Sequence, residues 1–201
     1  MRVYRPWCFF RCLYPDAVFR IKTYEKILYL TFDDGPDPES TPELLDILNN
    51  NNVKALFFCN GRAAEKFPEL INKIRETGHL VGNHGYSHLN GWRTSQEKYC
   101  EDVNRASRLT SGNLFRPPYG RLTINQYKEL SKSFTIFFWD IMPYDFDRSF
   151  GSERSLNVLN KKLRPGSIIV LHDTSASTCR TFFKDFIDKS ISEGYKFELG
   201  L

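Results

Sequence analysis

Short apolar runs alternate with longer stretches that mix apolar and polar residues, and this alternation continues from Ile27 almost to the end of the chain. The short runs contain few polar residues, which is typical of strands with both faces covered, as in a parallel sheet. Seven runs predict strands: residues 27–32, 53–59, 79–82, 114–116, 134–139, 167–171 and 195–199.

The stretches between these strands carry the signals of helix starts and ends. Gly78 and Gly194 each follow a predicted helix and end it. The start signals are a threonine followed by proline and two capping boxes: Thr41-Pro42, Thr94 with Glu97, and Thr123 with Gln126. About seven β–α alternations result, which fit an open doubly wound sheet or a barrel smaller than the usual eight-unit form. At 201 residues the chain is long enough for one such domain.

Residues 1–25 precede the first predicted strand and are basic and aromatic, so we separate them from a domain predicted over residues 26–201. In one interpretation the segment packs on one end of the domain through its aromatic residues, Trp7, Phe9, Phe10, Tyr14 and Phe19. In the other interpretation it lies on a membrane surface. Pro6 and Pro15 break any long amphipathic helix, which favours packing over membrane contact.

Composition is that of an ordinary globular chain, with 41% apolar and 26% charged residues. The formal net charge is +4, but Lys and Arg are interleaved with acids, which argues against a nucleic-acid partner. The five cysteines show no paired framework and favour free thiols in a reducing compartment. No apolar run approaches the roughly 18 residues of a spanning helix or the roughly 7–15 of a signal-peptide core. We therefore expect a cytoplasmic protein, with cell-envelope association left open.

Polar residues cluster directly after the predicted strands. Because the carboxyl ends of the strands in a parallel barrel lie at one end, where active sites are built, we expect these side chains to converge. They are Asp33 and Asp34 after the first strand, His84 and His88 after the third, Arg116 at the end of the fourth, Asp140 and Asp145 after the fifth, and His172 and Asp173 after the sixth.

Two histidines four positions apart, His84 and His88, have the spacing of a metal clamp if they share one helical turn. Two solvated loop histidines are the alternative, because Gly85 between them favours a loop. Asp33 and Asp34 point in different directions at a strand end, so one can bind a metal while the other holds a water. A solvated Asp-Asp-Gly-Pro turn is the alternative for this pair.

Other polar residues keep more than one interpretation at this point. His172 is either a core histidine bonded to the backbone or a catalytic group. Arg116 is either a structural arginine or the partner of a carboxylate in the site. Asp173 is interpreted as a turn or helix-capping residue, and Asp140 as a solvated loop acid.

With these residues assembled, the chain resembles the polysaccharide deacetylase family, which is carbohydrate esterase family four, over residues 26–199. Residues 55–58 look like the family's second strand. The resemblance implies an α/β fold, a distorted barrel of seven or eight β/α units, in agreement with the alternation counted above. Five separated motifs occur in the family's order, at residues 31–36, 84–88, 116–120, 139–146 and 171–173.

The resemblance implies a divalent metal ion, usually zinc, held by Asp34, His84 and His88. It also implies that Asp33 is the catalytic base and that His172 is the general acid. In that chemistry a metal lowers the pKa of bound water toward about 7 and polarises the acetyl carbonyl. Asp33 takes the proton of the attacking water, and His172 protonates the departing amine.

Further roles follow from the same resemblance. Arg116 matches the arginine that bonds the base, and Asp145 matches the aspartate that orients and tunes the acid. Tyr119 matches the residue whose backbone N–H helps to stabilise the oxyanion. Leu171 matches a residue that lines the acetyl pocket.

Two positions depart from the family's pattern. Gly85 stands where the family usually has a Ser or Thr that supports the metal loop, and Phe146 stands where a Trp usually lines the pocket. We expect removal of acetyl groups from N-acetylated sugars, with a glycan or oligosaccharide containing N-acetylglucosamine as the carbohydrate partner. O-deacetylation of an acetylated polysaccharide and a sugar-binding role without catalysis are the alternatives, and the oligomeric state is left open.

Overall fold

The computed structural model describes residues 2–6, 9–110 and 112–199. Trp7, one of the aromatic residues expected to pack on the domain, lies outside the described residues. All seven predicted strands are present within the described ranges: β1 (Ile27–Asp33), β2 (Leu56–Cys59), β3 (Leu80–Asn83), β4 (Leu114–Phe115), β5 (Thr135–Ile136), β6 (Ser167–His172) and β7 (Lys196–Phe197).

Helices occupy the connections, as the alternation predicts. Asn60 caps a short helix that the sequence pattern missed, because its side chain accepts hydrogen bonds from the N–H groups of Arg62 and Ala63. The helices are α1 (Phe9–Leu13), α2 (Ser40–Asn50), α3 (Gly61–Lys66), α4 (Pro68–Glu76), α5 (Gln96–Ser107), α6 (Ile124–Leu130), α7 (Ser152–Lys162) and α8 (Cys179–Ser192), with 3₁₀ turns at Gly91–Arg93 and Pro118–Gly120.

The strands form a parallel sheet in the order β5-β4-β3-β2-β1-β6, with β7 beside β1. Parallel neighbours need crossover connections, which the helices supply. The strand ends are level: Asp33 pairs with both Phe58 and His172, and Asn83 pairs with both Cys59 and Phe115. The residues that follow β1, β3, β4 and β6 therefore leave the sheet at one edge.

The sheet curls, and the gap between β5 and β6 is bridged by the chain that precedes β1. Val18 pairs with Phe137, just after β5, and Arg20 pairs with Ser167 at the start of β6. The N–H and the carbonyl of Val18 each make a backbone hydrogen bond of 2.8 Å on the β5 side. The result is the distorted β/α barrel that the sequence resemblance implied.

All seven residues of β1 are buried, but they alternate between two packing faces. Leu30 and Phe32 belong to the core cluster that contains residues of α2 and α8. Tyr29 belongs to a cluster made largely of strand residues, which fills the barrel interior. With a side-chain period of two, Thr31 and Asp33 continue the Tyr29 face. Asp33 therefore extends from the barrel interior at the edge where the strands end.

Two aromatic residues of the N-terminal segment are buried, Tyr14 at 3% and Phe19 at 4% exposure. Both belong to a core cluster with residues of α6, and Phe10 packs against that cluster. Phe9 is 47% exposed. These contacts agree with the packing interpretation, whereas the domain boundary at residue 25 stays a prediction. Among the described residues, the helices lack the length and apolarity needed to cross a membrane.

Two predicted helix caps are wrong. Thr41 lies inside α2, where its hydroxyl accepts from the Asp37 N–H at 2.8 Å and donates to the Asp173 carboxylate at 2.6 Å. Ser95 rather than Thr94 caps α5. In both cases neighbouring polar residues compete for the cap, and the sequence pattern does not decide between them. The predicted capping box of α6 is confirmed.

Candidate active site

The C-terminal ends of the strands open into a cleft of about 300 Å³. The strands end side by side here, so the residues that follow β1, β3, β4 and β6 all lie at this edge of the sheet. Five of the nine side chains expected to converge line this cleft, and Arg116 and Asp145 bond to two of these five, whereas Asp140 and Asp173 do not line it. Those lining the cleft include Asp33, Asp34, His84, His88, Tyr119 and His172.

Asp34, His84 and His88 form a group that can hold a metal ion. Asp34 Oδ1 lies 3.1 Å from His88 Nε2 and 3.5 Å from His84 Nε2. One ligand atom from each of the three residues lies within 4.8 Å of the others. A carboxylate with two imidazoles suits a divalent cation and leaves coordination positions for water or substrate.

His84 is held in the form that a metal ligand needs. Its Nδ1 lies 2.8 Å from the Arg116 carbonyl oxygen. Because a carbonyl only accepts, Nδ1 carries the proton and Nε2 is left with a free lone pair. Burial lowers the pKa of His84, with the Asp33 charge as the main opposing influence. The neutral imidazole that metal binding requires is therefore favoured.

Three residues of the cleft adopt a left-handed backbone that is uncommon for residues other than glycine. Asp34 has a φ of 77°, His88 a φ of 53° and Tyr119 a φ of 59°. Such conformations cost about 1–3 kcal/mol each and persist only where the surrounding structure holds them. Their concentration in one cleft is an independent indication that this edge of the barrel is functional.

Arg116 fixes the position of Asp33. Its side chain is fully buried, with Cζ 4.2 Å from the centroid of the Phe58 ring. Nη1 donates to Asp33 Oδ1 at 2.7 Å and to Thr31 Oγ1 at 2.6 Å. The other carboxylate oxygen, Oδ2, lies 4.0 Å from His84 Nε2. Asp33 thus has one oxygen bound to arginine and the other beside the possible metal ligands.

His172, which pairs with Asp33 across the β1–β6 register, is held by Asp145. Its Nδ1 lies 2.9 Å from Asp145 Oδ1, while Asp145 Oδ2 accepts from the His172 N–H and the Ser177 hydroxyl, both at 2.8 Å. Burial lowers the pKa of His172, but the charge and hydrogen bond of Asp145, with the more distant Asp34, outweigh it and raise the pKa to about 9. The imidazolium is therefore favoured, with its ring orientation fixed at Nδ1.

The structure does not bring Leu171 to the cleft. Leu171 is fully buried in the helix-facing core, whereas Val170 and His172, its neighbours on the opposite face of β6, line the cleft. The expectation for Leu171 is corrected to Val170 because successive strand residues face opposite ways. Phe146 does line the cleft, with its ring centroid 4.9 Å from that of His172.

The interpretation of Asp140 as a solvated loop acid is wrong. Asp140 is 2% exposed and accepts from Arg164 Nε at 3.0 Å and from the Ser167 hydroxyl at 2.7 Å. Arg5 Nε lies 3.3 Å from the same carboxylate. Asp173, interpreted as a turn or capping residue, is fully buried, and burial raises the pKa of its carboxyl to about 7.

Sequence reasoning missed three residues around the cleft. Met142 and Arg121 line it, and the available signals were that Arg121 directly follows the third motif and that Met142 lies within the fourth. Asp102 of α5 accepts hydrogen bonds from the N–H groups of Tyr86 and Ser87 behind the histidine loop. No sequence pattern indicates this contact, because it depends on how α5 packs against the loop.

The family model described as polysaccharide deacetylase matches residues 20–136. The chain is similar to a peptidoglycan-N-acetylglucosamine deacetylase of Bacillus cereus, with 38% identity, over 72% of this chain and 55% of that protein. It is also similar to a chitooligosaccharide deacetylase of Sinorhizobium fredii, with 35% identity, over 80% of this chain and 78% of that protein. The match to the Bacillus cereus protein thus spans little more than half of its length.

Solved structures share the backbone. The peptidoglycan N-acetylglucosamine deacetylase Bc1960 superimposes with a TM-score of 0.87 and 32% identity, covering 96% of this chain and 94% of that chain. BA3943 of Bacillus anthracis, described as a CE4 family pseudoenzyme, superimposes with a TM-score of 0.82 and 25% identity, covering 91% of this chain and 66% of that chain. Because one backbone accompanies both a deacetylase and a pseudoenzyme, function has to be argued from side chains.

Proposed function

This chain belongs to the polysaccharide deacetylase family, and from that premise we propose that it is a metal-dependent hydrolase that removes acetyl groups from glycans or oligosaccharides containing N-acetylglucosamine. One observation carries the proposal. A single cleft contains a possible metal triad, a carboxylate fixed by an arginine and a histidine fixed by a carboxylate. Amide hydrolysis needs an activated water, a base and an acid for the departing amine, and this set supplies a candidate for each.

The substrate class is supported by the names of the relatives. One is named for N-acetylglucosamine in peptidoglycan and another for chitooligosaccharides, and N-acetylglucosamine is the unit they share. We therefore place an acetylated carbohydrate in the cleft. The cytoplasmic location expected from the sequence stays a prediction.

The metal site is proposed to hold a divalent cation, with zinc as the first candidate, through Asp34, His84 and His88. The fixed Nδ1–H of His84 and its lowered pKa support this assignment, because both keep Nε2 available as a ligand. When bound, the cation supplies an acidified water and polarises the acetyl carbonyl.

Asp33 is proposed as the base. Arg116 holds its Oδ1, so Oδ2 is the oxygen available to take a proton from a water beside the triad. His172 is proposed as the acid that protonates the departing nitrogen, since Asp145 favours its imidazolium form and orients its ring. The backbone N–H of Tyr119 is proposed to help stabilise the oxyanion.

The cleft wall that receives the acetyl group is proposed to include Val170 and Phe146, both of which line the cleft. Val170 takes the place expected for Leu171. Phe146 is 45% exposed and keeps an apolar surface in the position where the family usually has Trp. These side chains exclude water from one side of the reacting group, and their effect is expected on substrate binding.

The test is release of acetate from N-acetylchitooligosaccharides by metal-stripped protein, before and after addition of zinc. We expect no release without metal and full release after reconstitution. The double variant His84→Ala/His88→Ala should bind no stoichiometric zinc by elemental analysis and should be inactive in both states. One tightly held zinc per chain in that double variant would overturn the assignment of the metal site.

The same assay separates the alternatives. Acetate released from acetylated xylan but not from N-acetylated sugars would replace the proposal with O-deacetylation. Sugar binding without any acetate release, in protein with a full complement of metal, would make the chain a non-catalytic member. The similarity to the pseudoenzyme BA3943 makes this second outcome worth measuring by calorimetric titration.

A further inference from the structure

The histidine loop, residues 84–88, is held from behind by Asp102 of α5. Asp102 Oδ2 accepts from the Tyr86 N–H at 2.8 Å, and both carboxylate oxygens accept from the Ser87 N–H at 3.1 Å. Asp102 does not line the cleft and is not among the possible metal ligands. One carboxylate therefore gathers two successive backbone donors that lie between His84 and His88.

The backbone of this loop needs support from outside. Gly85 has a φ of +73° and His88 a φ of +53°, so the loop is left-handed on both sides of the bonded amides. A Cβ atom on Gly85 would lie 3.2 Å from Asp102 Oδ2. Glycine thus allows the close approach of the carboxylate, and it contributes no side-chain hydroxyl of its own to the loop. The support comes instead from the neighbouring helix.

A second contact links the same helix to the same loop. The Gly85 N–H donates to Asn83 Oδ1 at 2.7 Å, and Asn83 Nδ2 donates to the Val103 carbonyl of α5 at 2.8 Å. Asn83 is fully buried at the end of β3. Two adjacent residues of α5, Asp102 and Val103, therefore fix the path of the backbone that leads from one histidine to the other.

We propose that Asp102 is a positioning residue that holds the loop of His84 and His88 in its metal-binding conformation before any metal arrives. Its carboxylate bonds to main-chain donors, and hydrogen bonds to a charged acceptor are stronger than neutral ones. A preformed loop avoids the ordering entropy that a flexible loop loses when its ligands are brought together. Asp102 therefore sets the affinity of the site for its cation without contacting the cation. This role rests on the metal site of the proposed function.

The experiment compares Asp102→Asn with Glu101→Gln. Both variants remove one negative charge from α5, but Glu101 is exposed and accepts no hydrogen bond from the described part of the loop. Zinc affinity is measured by competition with a chromophoric chelator. We expect Asp102→Asn to bind zinc about 10–100-fold more weakly, the usual effect of losing a group that orients metal ligands. Glu101→Gln should bind zinc like the parent, and kcat of Asp102→Asn at saturating zinc should stay close to the parent value.

Amide hydrogen exchange of residues 84–88 in the metal-free protein gives a second readout. Exchange should be faster in Asp102→Asn than in the parent and in Glu101→Gln, because the loop opens more often. This measurement needs neither zinc nor substrate. Equal zinc affinity and equal exchange in Asp102→Asn and Glu101→Gln would overturn the proposal.

A third variant, Asp102→Glu, keeps the charge and displaces it by one methylene. We expect zinc affinity between those of the parent and Asp102→Asn, and parental affinity would show that charge alone suffices and would overturn the positioning role. A parent protein that binds no zinc would refute the proposed function instead. In that case the exchange data would still decide whether Asp102 orders the loop.

Discussion

Strand β6 has a buried aspartate bound at each of its ends. At its first residue the Ser167 hydroxyl donates to Asp140 at 2.7 Å, and at its last residue His172 Nδ1 lies 2.9 Å from Asp145. Asp140 and Asp145 belong to one connection and are 2% and 0% exposed. The two aspartates are therefore similarly buried in the same segment, but one is bound to a serine and the other to a histidine.

The partners decide what each aspartate can do. Burial raises the pKa of Asp140, but hydrogen bonds from Arg164 and Ser167 outweigh it and hold the pKa below its usual range. An arginine stays charged throughout the accessible pH range, so this pair is a fixed structural bond. Asp145 faces a histidine, which unlike an arginine can lose its proton within the accessible pH range and can therefore pass that proton on. One end of β6 is thus suited to stability and the other to chemistry.

The largest expected effect separates the two end residues of β6. We predict that His172→Ala lowers kcat/KM by about 10²–10⁴-fold, because no group remains to protonate the departing amine. Ser167→Ala removes a hydrogen bond at the other end and should leave kcat/KM near the parent value. Steady-state rates of acetate release on one soluble N-acetylated oligosaccharide provide the measurement. Equal losses in both variants would contradict the assignment of catalysis to the His172 end of β6 alone.

The pH profile tests which aspartate tunes the acid. Asp145 raises the pKa of His172 against the effect of burial, to about 9. Asp145→Asn removes that anion, so the pKa of His172 should fall and the alkaline limb of kcat/KM should move to lower pH. Asp140→Asn should leave the limb in place, because its carboxylate bonds to Arg164 and Ser167. A limb that moves only in Asp140→Asn would transfer the tuning role to that residue.

Between the two ends of β6, Val170 faces the cleft and Leu171 faces the helices on the other side of the sheet. Leu171→Ala should lower the free energy of unfolding by about 2–5 kcal/mol, since it opens a cavity in the helix-facing core. Val170→Ala changes the cleft wall, so its main effect should be a higher KM. Chemical denaturation and steady-state kinetics on both variants provide the readouts. The assignment of faces fails if Leu171→Ala raises KM while the unfolding free energy stays at the parent value.

The smallest effect is expected at the structural end. Asp140→Asn keeps the shape of the side chain but loses the charge that binds Arg164, a partner whose side chain is 39% exposed. We predict a loss of about 1–3 kcal/mol in unfolding free energy, the usual cost of leaving a buried hydrogen-bonding group without its partner. Urea unfolding of parent and variant measures it. If the variant is as stable as the parent, Asp140 does not have the structural role that its contacts indicate.

Much of the fold was predictable because the signals are local. Short, mainly apolar runs located the seven strands of the described residues, and the polar residues at or after the ends of those runs include the possible metal triad, Asp33 with Arg116, and His172 with Asp145. The faces of β6 were not predictable in the same way. Val170 and Leu171 are both apolar, so the run contains no alternation that tells which side chain faces the cleft. Only the packing of α2 and α8 against the sheet decides that question.

The remaining misses depend on contacts between segments that are distant in sequence. From the sequence Asp140 is indistinguishable from a surface acid, because its partners Arg5 and Arg164 reach it only in the folded chain. Asp102 is one of several acids on a helix, and its bond to the histidine loop appears only when α5 packs behind that loop. Threonines near helix starts were misassigned because a cap depends on backbone angles that neighbouring residues influence.

The bridge made by Val18 and Arg20 has a consequence for the order in which the molecule assembles. These residues leave the ribosome long before Phe137 and Ser167, with which they pair. Contacts of such sequence separation carry a high loop-closure entropy and form slowly. Asp145, in the connection between β5 and β6, and His172, at the end of β6, both lie in the part of the chain that this bridge closes. We expect the acid half of the site to be completed late in folding, after the chain that supplies the metal ligands has already been synthesised.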